Sequence, residues 1–169
     1  MFSLLQLFWR LHWPICQLQR GPQDLPAAPA LLRFAMLACF LSGVLVFTLS
    51  VSVADAMLRT GFSLAISLLI WPLLLHAAGQ QARLLQTLTA VLGCAAILNF
   101  LLWPLSWLIR SLGDRAGLLP LLLIALLLWS VTVSGHILRH ALDWPLPRAL
   151  ALAVLLFALR YGLYQLIFA

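Results

Sequence analysis

Charged residues are scarce in this chain, and two of the four usual charged types are missing altogether. Only 8% of the 169 residues are charged, against roughly 25% in soluble domains. All ten cations are Arg and all four anions are Asp, so the sequence has no Lys and no Glu. Beside 64% hydrophobic residues, this scarcity excludes a water-soluble fold. Without any long polar tract, the chain also has no disordered tail or basic arm, so we expect no nucleic-acid partner.

Patterns that carry chemistry are equally sparse. Cys16 stands apart from Cys39 and Cys94, which fall inside apolar runs, so the three cysteines make no disulfide framework. His136 and His140 are four residues apart on one helix face, a spacing that two metal ligands can use, but no carboxylate or cysteine pattern supplies the other ligands. No Ser with a partnered His, no paired carboxylates and no HExxH signature is present. We therefore expect no catalytic residue, no metal and no cofactor.

Long apolar runs are what the chain has instead. A helix of about 20 apolar residues satisfies its own backbone hydrogen bonds and crosses roughly 30 Å of hydrocarbon. Runs such as LLLIALLL at 121–128 do not alternate in polarity, so we predict helices rather than the strands of a membrane barrel. The predicted fold is all-α, a polytopic membrane helix bundle in which residues 31–169 form a five-span domain. The spans are predicted at about 31–53, 62–78, 84–109, 118–137 and 149–169, and Asp55, Arg59 and Gly61 are expected to close the first.

Residues 1–30 predict an amphipathic helix in the headgroup region, followed by a linker. Polar residues recur there at helical spacing, at Gln6, Arg10, Gln17 and Arg20. Apolar residues cover much of the remaining surface, at Leu4, Leu5, Phe8, Trp9 and Leu11. The turn GPQDLPAAP at 21–29 then leads into the first span. A cleaved secretory signal is disfavoured, because Arg10 divides the apolar run and no small-x-small site precedes Cys16.

The distribution of Arg predicts an orientation, since cytoplasmic loops retain positive charge. One side of the predicted topology holds six arginines, at positions 10, 20, 33, 83, 139 and 148, and the other side holds three, at 59, 110 and 115. We therefore expect a cytoplasmic amino terminus and, with five spans, a carboxyl terminus on the opposite face. Arg160 is left out of this comparison because it lies inside the last span.

Ionisable residues inside a membrane are costly and raise a functional question. Arg160 has two interpretations: it extends toward the far interface beside Tyr161 and Tyr164, or it faces inward and pairs with Asp55 or Asn99. The first interpretation is the simpler one. A proton relay would require carboxylates across the bilayer, and all four Asp fall near span ends or in connections.

The third span carries the candidate contact residues. Thr89 and Gly93 are small and four residues apart, a spacing that lets two helices approach closely. Asn99 can hydrogen-bond across helices, which is worth about 0.6 to 2 kcal/mol in a membrane. His76 is expected in a polar cap where the second span leaves the bilayer.

Two stretches resemble bacterial members of the Yip1-type family of five-span membrane proteins. HAAGQQARLLQTLTAVLGCAAILNFLLWPL, residues 76–105, is similar to a family segment with a polar glycine turn, a Gln-Thr-Leu-Thr-Ala-like helix start, a mid-helix glycine and a late proline. WSVTVSGH, residues 129–136, resembles a later Trp-containing helix. The resemblance covers about residues 30–169 and implies an integral membrane protein. Heavy use of Arg without Lys is typical of a GC-rich bacterium, so the inner membrane is the expected location.

These observations predict a non-enzymatic inner-membrane protein that acts through helix–helix contacts, as a homo-oligomer or as the partner of a membrane assembly. The candidate contact surface is the third span, with Thr89, Gly93 and Asn99. The alternative is a small transporter or channel subunit, which requires Arg160, Asn99, His76 and Asp55 to line one water-accessible path. The connections are too short to fold as a separate domain, which weighs against an enzyme.

Overall fold

The computed structural model describes the backbone of residues 2–168 and the side chains of residues 5–168. Its α-helices are α1 (Phe2–Cys16), α2 (Pro29–Phe47), α3 (Val53–Ala77), α4 (Leu84–Leu112), α5 (Leu119–Leu142) and α6 (Leu146–Phe168). Short 3-10 helices occupy Pro22–Asp24, Gln81–Arg83 and Gly113–Ala116. Helices α2 to α6 are each long and apolar enough to cross a membrane. The predicted all-α fold with five such helices is therefore confirmed. Met1 and Ala169, the outer limits of the predicted segments, lie outside the described residues, as does the side chain of Leu4.

The boundary between the first two long helices differs from the prediction. Helix α2 ends at Phe47, and α3 already begins at Val53 rather than near residue 62. Asp55, Arg59 and Gly61 do not close the first helix, because all three lie inside α3. The reason is local: the Ser52 side chain caps α3 by accepting a hydrogen bond from the Asp55 backbone N–H. Hydropathy did not reveal this cap, because the residues on both sides of it are apolar.

The other limits differ by smaller amounts. Helix α4 begins at Leu84 as predicted and continues to Leu112. Helix α5 runs on to Leu142 and stops at Asp143, whose φ of 53° places it in the left-handed region. Helix α6 begins at Leu146, earlier than predicted. The predicted limits followed the ends of the apolar runs. The helices continue past those ends and include the polar residues that come next.

Helix α4 is the centre of the bundle. It contacts α1, α2, α3 and α5, while α2 also packs on α3 and α5 also packs on α6. All of its buried residues lie between Thr87 and Leu98. The connections alternate between two ends: 78–83 and 143–145 lie at one end with the segment that follows α1, and 48–52 and 113–118 lie at the other. We call these the α1 end and the far end.

The tightest packing lies toward the α1 end. Fully buried side chains from four helices meet there, namely Ile15, Leu75, Leu92, Ile137 and Leu138. Toward the far end, α4 has no buried residue after Leu98, and α5 has none before Val133. The bundle is therefore closely packed at one end and more open at the other.

Helix α1 packs on the bundle with a clear buried face. Phe8, His12, Ile15 and Cys16 are buried, while Leu5 and Trp9 from the predicted apolar set are exposed. The predicted polar residues Gln17 and Arg20 come after the helix ends at Cys16. The buried side of the amphipathic pattern thus contacts α4 and α5, and part of the apolar set stays exposed.

Candidate functional site

Thr89 and Gly93 lie on the face of α4 that α1 covers. A Cβ atom on Gly93 would lie 2.0 Å from Cδ2 of His12, so only glycine permits this approach. Thr89 is fully buried, and its hydroxyl donates to the Leu85 carbonyl at 2.7 Å. Both residues make their close contacts inside the chain. They are therefore not exposed to a partner protein, and any surface that binds one lies on other residues.

His12, which the sequence did not single out, fills this junction. Its Nδ1 donates to the Phe8 carbonyl at 2.9 Å, and its Nε2 is buried without a partner of good hydrogen-bond geometry. Burial lowers the pKa of His12, and the nearby carbonyls of Phe8 and Thr89 offset part of that effect. The positions of Phe8, His12 and Cys16, four apart on the apolar face of a short helix, were the signal that could have identified it.

Asn99 lies where α2, α3 and α4 meet. Its amide nitrogen donates to the Ser42 hydroxyl across helices at 3.4 Å. Beside it, a Cβ atom on Gly43 would lie 2.7 Å from Cγ2 of Thr60, so α2 and α3 approach closely at this level. The Thr60 hydroxyl is buried without a hydrogen-bond partner. Asn99 thus joins helices within the chain.

Arg160 faces the interior of the bundle. Its Nη2 donates to the Ser63 hydroxyl of α3 at 2.7 Å. Neither of the partners considered from the sequence is the one found: Asp55 accepts from the Ser52 hydroxyl, and Asn99 donates to Ser42. The inward orientation is therefore the one observed, with a neutral hydroxyl as the partner. The sequence indicated the residue but not the direction of its side chain.

A cavity of about 500 Å³ lies beside Arg160, and all five long helices line it. Its polar lining comprises hydroxyls, thiols, one amide and the Arg160 guanidinium: Cys39, Thr60, Ser63, Ser67, Cys94, Asn99, Ser130, Ser134, Arg160, Tyr161 and Tyr164. The rest of the lining is apolar. No Asp is among the lining residues that the structure describes, so the only formal charge at the wall is positive.

Arg59 lies next to this cavity, behind Tyr164, but is not among its lining residues. It donates to the Tyr164 hydroxyl, and its guanidinium lies 5.0 Å from the centre of the Phe168 ring. Phe62 meets Phe168 edge to face, with ring centres 5.4 Å apart. These contacts join the start of α3 to the end of α6. The role of Arg59 was missed because the sequence placed it in a connection between helices.

A polar layer at the α1 end holds the connections together. Arg83 forms an ion pair with Asp143 at 2.8 Å and also donates to the His140 carbonyl at 2.9 Å. The Arg83 hydrogen bond keeps the pKa of Asp143 below its usual value. His136 Nε2 donates to the Arg20 carbonyl at 2.9 Å, which fixes the segment after α1 against α5.

His76 is exposed near the end of α3 and is hydrogen-bonded to Gln81, the position expected of a polar cap. His136 and His140 face each other with ring centres 4.6 Å apart. Within residues 2–168, no group of three His, Cys, Asp or Glu side chains is placed to hold a metal. The two histidines instead bind the segment that follows α1, through the Arg20 carbonyl and the Gln23 side chain.

Comparisons with protein families, with curated proteins and with solved structures found no match to this chain. The resemblance to the Yip1-type family therefore stays a prediction.

Proposed function

We propose that this chain is a non-catalytic, multi-pass protein of the bacterial inner membrane, similar to the Yip1 type, that binds another membrane protein or a second copy of itself through helix contacts. The contact residues predicted on α4 are occupied within the chain. The proposal therefore rests on the outer face of α5, and the observation that carries it is the position of Trp129.

Trp129 is exposed near the middle of α5, at a depth where hydrocarbon offers its indole N–H no hydrogen-bond acceptor. It lies ten residues after the first residue of α5, or about 15 Å along the axis, near the middle of a hydrocarbon layer roughly 30 Å thick. The side chain is 41% exposed, and its indole N–H donates to no atom in the described part of the chain. Trp is normally enriched at membrane interfaces, where its N–H finds a partner. A second protein packed on α5 would supply an acceptor.

The face around Trp129 has the composition of a helix contact. Leu122, Ala125 and Thr132 lie three or four residues apart in succession with Trp129 and so share one side of α5. Ala125 is small and exposed, which allows a neighbouring backbone to come close. We call this set, Leu122, Ala125, Trp129 and Thr132, the outer α5 face.

Photocrosslinking in the native membrane tests the proposal. A photoreactive amino acid at Leu128, which is exposed beside Trp129, should give one discrete protein adduct. The same probe at the fully buried Leu138 is the control and should give none. Trp129→Phe should reduce recovery of that partner in a mild-detergent pull-down. The matched variant Trp107→Phe, on an exposed Trp near the end of α4, should leave it unchanged.

Adducts with lipid alone at Leu128, together with recovery of the monomer only, would contradict the proposal. If Trp107→Phe lost the partner to the same extent, the contact would not be specific to the outer α5 face. A partner at the mass of this chain identifies a homo-oligomer, and any other mass identifies a heteromeric assembly.

A transporter or channel subunit is the second candidate, and the cavity is the observation that favours it. Arg160 and Asn99 line the cavity, whereas His76 and Asp55 lie at opposite ends of α3 and outside it. A path through the bilayer would have to form without these two residues. Cysteine substitutions along α4 and α6 test this: periodic labelling deep in the bilayer by a water-soluble thiol reagent would support a pore.

A further inference from the structure

The cavity beside Arg160 has a chemistry that the partner-binding proposal does not use. We propose that it binds an anionic amphiphile from the membrane, with a phosphate or carboxylate head at Arg160 and a hydrocarbon tail between α3 and α6. This inference is independent of the outer α5 face, because Trp129 is not among the residues that line the cavity.

The first support is the unbalanced charge of Arg160. The one ion pair in the described part of the chain joins Arg83 and Asp143 at the α1 end. Among the described residues, Arg160 donates only to the neutral hydroxyl of Ser63, although a guanidinium has five N–H donors. A positive charge in hydrocarbon without a counter-ion is expensive. An anionic oxygen pair would satisfy it in the bidentate geometry that guanidinium prefers.

The second support is the excess of donors around it. Tyr164 accepts from Arg59, and Tyr161 accepts from Gln165 at 2.8 Å, so each phenolic O–H remains free to donate. Both tyrosines line the cavity, and no carboxylate does among the described residues. Arg59 adds a second positive charge directly behind Tyr164. This wall favours an anion over a cation or a neutral head.

The third support is the apolar remainder of the cavity and its opening. Helix α2 packs on α3 and α4, and α5 packs on α4 and α6, so these helices form a continuous wall. By contrast, the side-chain contacts that the structure describes between α3 and α6 involve Arg59, Phe62 and Ser63 at the start of α3. Farther toward the α1 end, Ile70 and Phe157 line the cavity. Contacts between α3 and α6 are much sparser than those of α2 with α3 and α4 or of α5 with α4 and α6, so the side between α3 and α6 is the expected entry for a lipid tail.

The size and the apolar lining of the cavity favour a membrane amphiphile over a free anion from water. At about 500 Å³ the cavity lies in the range of small-ligand sites, roughly 300–1,000 Å³, enough for a compact head and part of a chain. A free anion would have to leave water and enter a pocket whose lining is mostly apolar. A membrane amphiphile enters from the side with its tail already in hydrocarbon.

Lipid binding to the full-length protein tests the proposal. The purified chain in mild detergent is titrated with phosphatidylglycerol or with phosphatidylcholine, and bound lipid is counted by native mass spectrometry. We expect phosphatidylglycerol to bind about tenfold more tightly, as for a hydrogen bond to a charged group. Equal affinity for the two lipids would overturn the proposal.

Variants assign the binding to this cavity. Arg160→Gln should lose the preference for phosphatidylglycerol. Arg160→Lys should keep part of it, because lysine retains the positive charge but lacks the planar guanidinium that binds two oxygens at once. Arg110→Gln is the matched control, since Arg110 binds Ser50 at the far end and does not line the cavity. An unchanged preference in Arg160→Gln, or an equal loss in Arg110→Gln, would overturn the proposal.

Two further measurements keep the test decisive if Arg160→Gln does not fold. Ile70→Trp fills the predicted tail position and leaves Arg160 intact, so it should weaken phosphatidylglycerol binding. Undiminished binding in that variant contradicts a tail between α3 and α6. Inorganic phosphate added as a competitor should not displace the lipid, and displacement at equal concentration would identify a water-soluble anion as the ligand instead.

Discussion

Single residues decide how closely the helices of this protein approach. Gly93 admits the His12 ring, and Gly43 admits the Thr60 methyl group, so two close contacts depend on a missing side chain. Gly162 in α6 provides a contrast, because a Cβ atom there would meet nothing within 4 Å. Glycines of similar appearance in the sequence therefore have different roles.

Gly93→Ala should destabilise the protein. The new methyl group would overlap three atoms of the His12 ring, so we expect a cost in the upper part of the range of about 1–3 kcal/mol for overpacking, above the gain of about 1 kcal/mol from the better helix former. Gly162→Ala carries the same gain without the overlap and should be neutral or stabilising. Thermal unfolding of both variants in one detergent measures the difference. A higher midpoint for Gly93→Ala than for Gly162→Ala would contradict the packing described for His12.

Some of these residues could be identified from the sequence and others could not. Thr89 and Gly93 stood out by their spacing, and Arg160 stood out as a charge inside an apolar run. His12 and Arg59 did not, because each lies near a helix end where polar residues are common. Their importance comes from which neighbours the fold brings to them, and one sequence contains no direct signal of that.

Helix α1 packs on the bundle through a buried titratable group. Its buried His12 has a pKa below the ordinary value of 6.5 because burial disfavours the charged ring. The undocked histidine binds a proton more readily than the docked one. The docking free energy is therefore fully present above about pH 6.5 and falls as the pH drops below that value.

Hydrogen exchange of the α1 amides should show this loss of docking. Exchange is expected to speed up as the pH is lowered below about 6.5, after correction for the intrinsic pH dependence of exchange. His12→Phe keeps a ring of similar size without the titration and should abolish the effect. Equal acceleration in His12→Phe would assign the pH dependence to another group.

The start of α3 is set by a cap rather than by hydropathy. Ser52→Ala removes the acceptor of the Asp55 backbone N–H and should cost about 1 kcal/mol. Ser111→Ala is the control, since Ser111 is an exposed serine whose hydroxyl only bonds back to the Leu108 carbonyl of its own helix. Both changes can be compared by unfolding in detergent.

The pattern Ser52-x-x-Asp55 was present in the sequence, so this helix start was predictable from capping even though the apolar run concealed it.

At the scale of the whole molecule, the number of long helices follows from composition, but their arrangement does not. Five apolar runs sufficed to predict five long helices, because each such run satisfies its backbone only as a helix. Nothing in those runs indicated that α4 would be central or that α3 and α6 would make few contacts with each other. Lipid and protein interiors favour the same apolar residues, so hydropathy does not separate buried faces from exposed ones.

Reporter fusions test the proposed orientation. Six arginines belong to the α1 end and three to the far end, so a cytoplasm-active reporter should work at the amino terminus. A reporter active only outside the cytoplasm should work at the carboxyl terminus. Activity of both ends in one compartment would contradict a five-span topology.

The long helices also differ in length, which would couple the proposed membrane protein to the thickness of its bilayer. Helix α4, with 29 residues, is about 43 Å long, while α2, with 19 residues, is about 28 Å long. A thinner bilayer is a poor match for the longer helix and induces tilt. Since α4 has no buried residue beyond Leu98 and carries Pro104 in that far half, we expect bending there to absorb such tilt without disturbing the contact with α1. Membrane thickness could then widen or narrow the space beside Arg160 while the packed end keeps its shape.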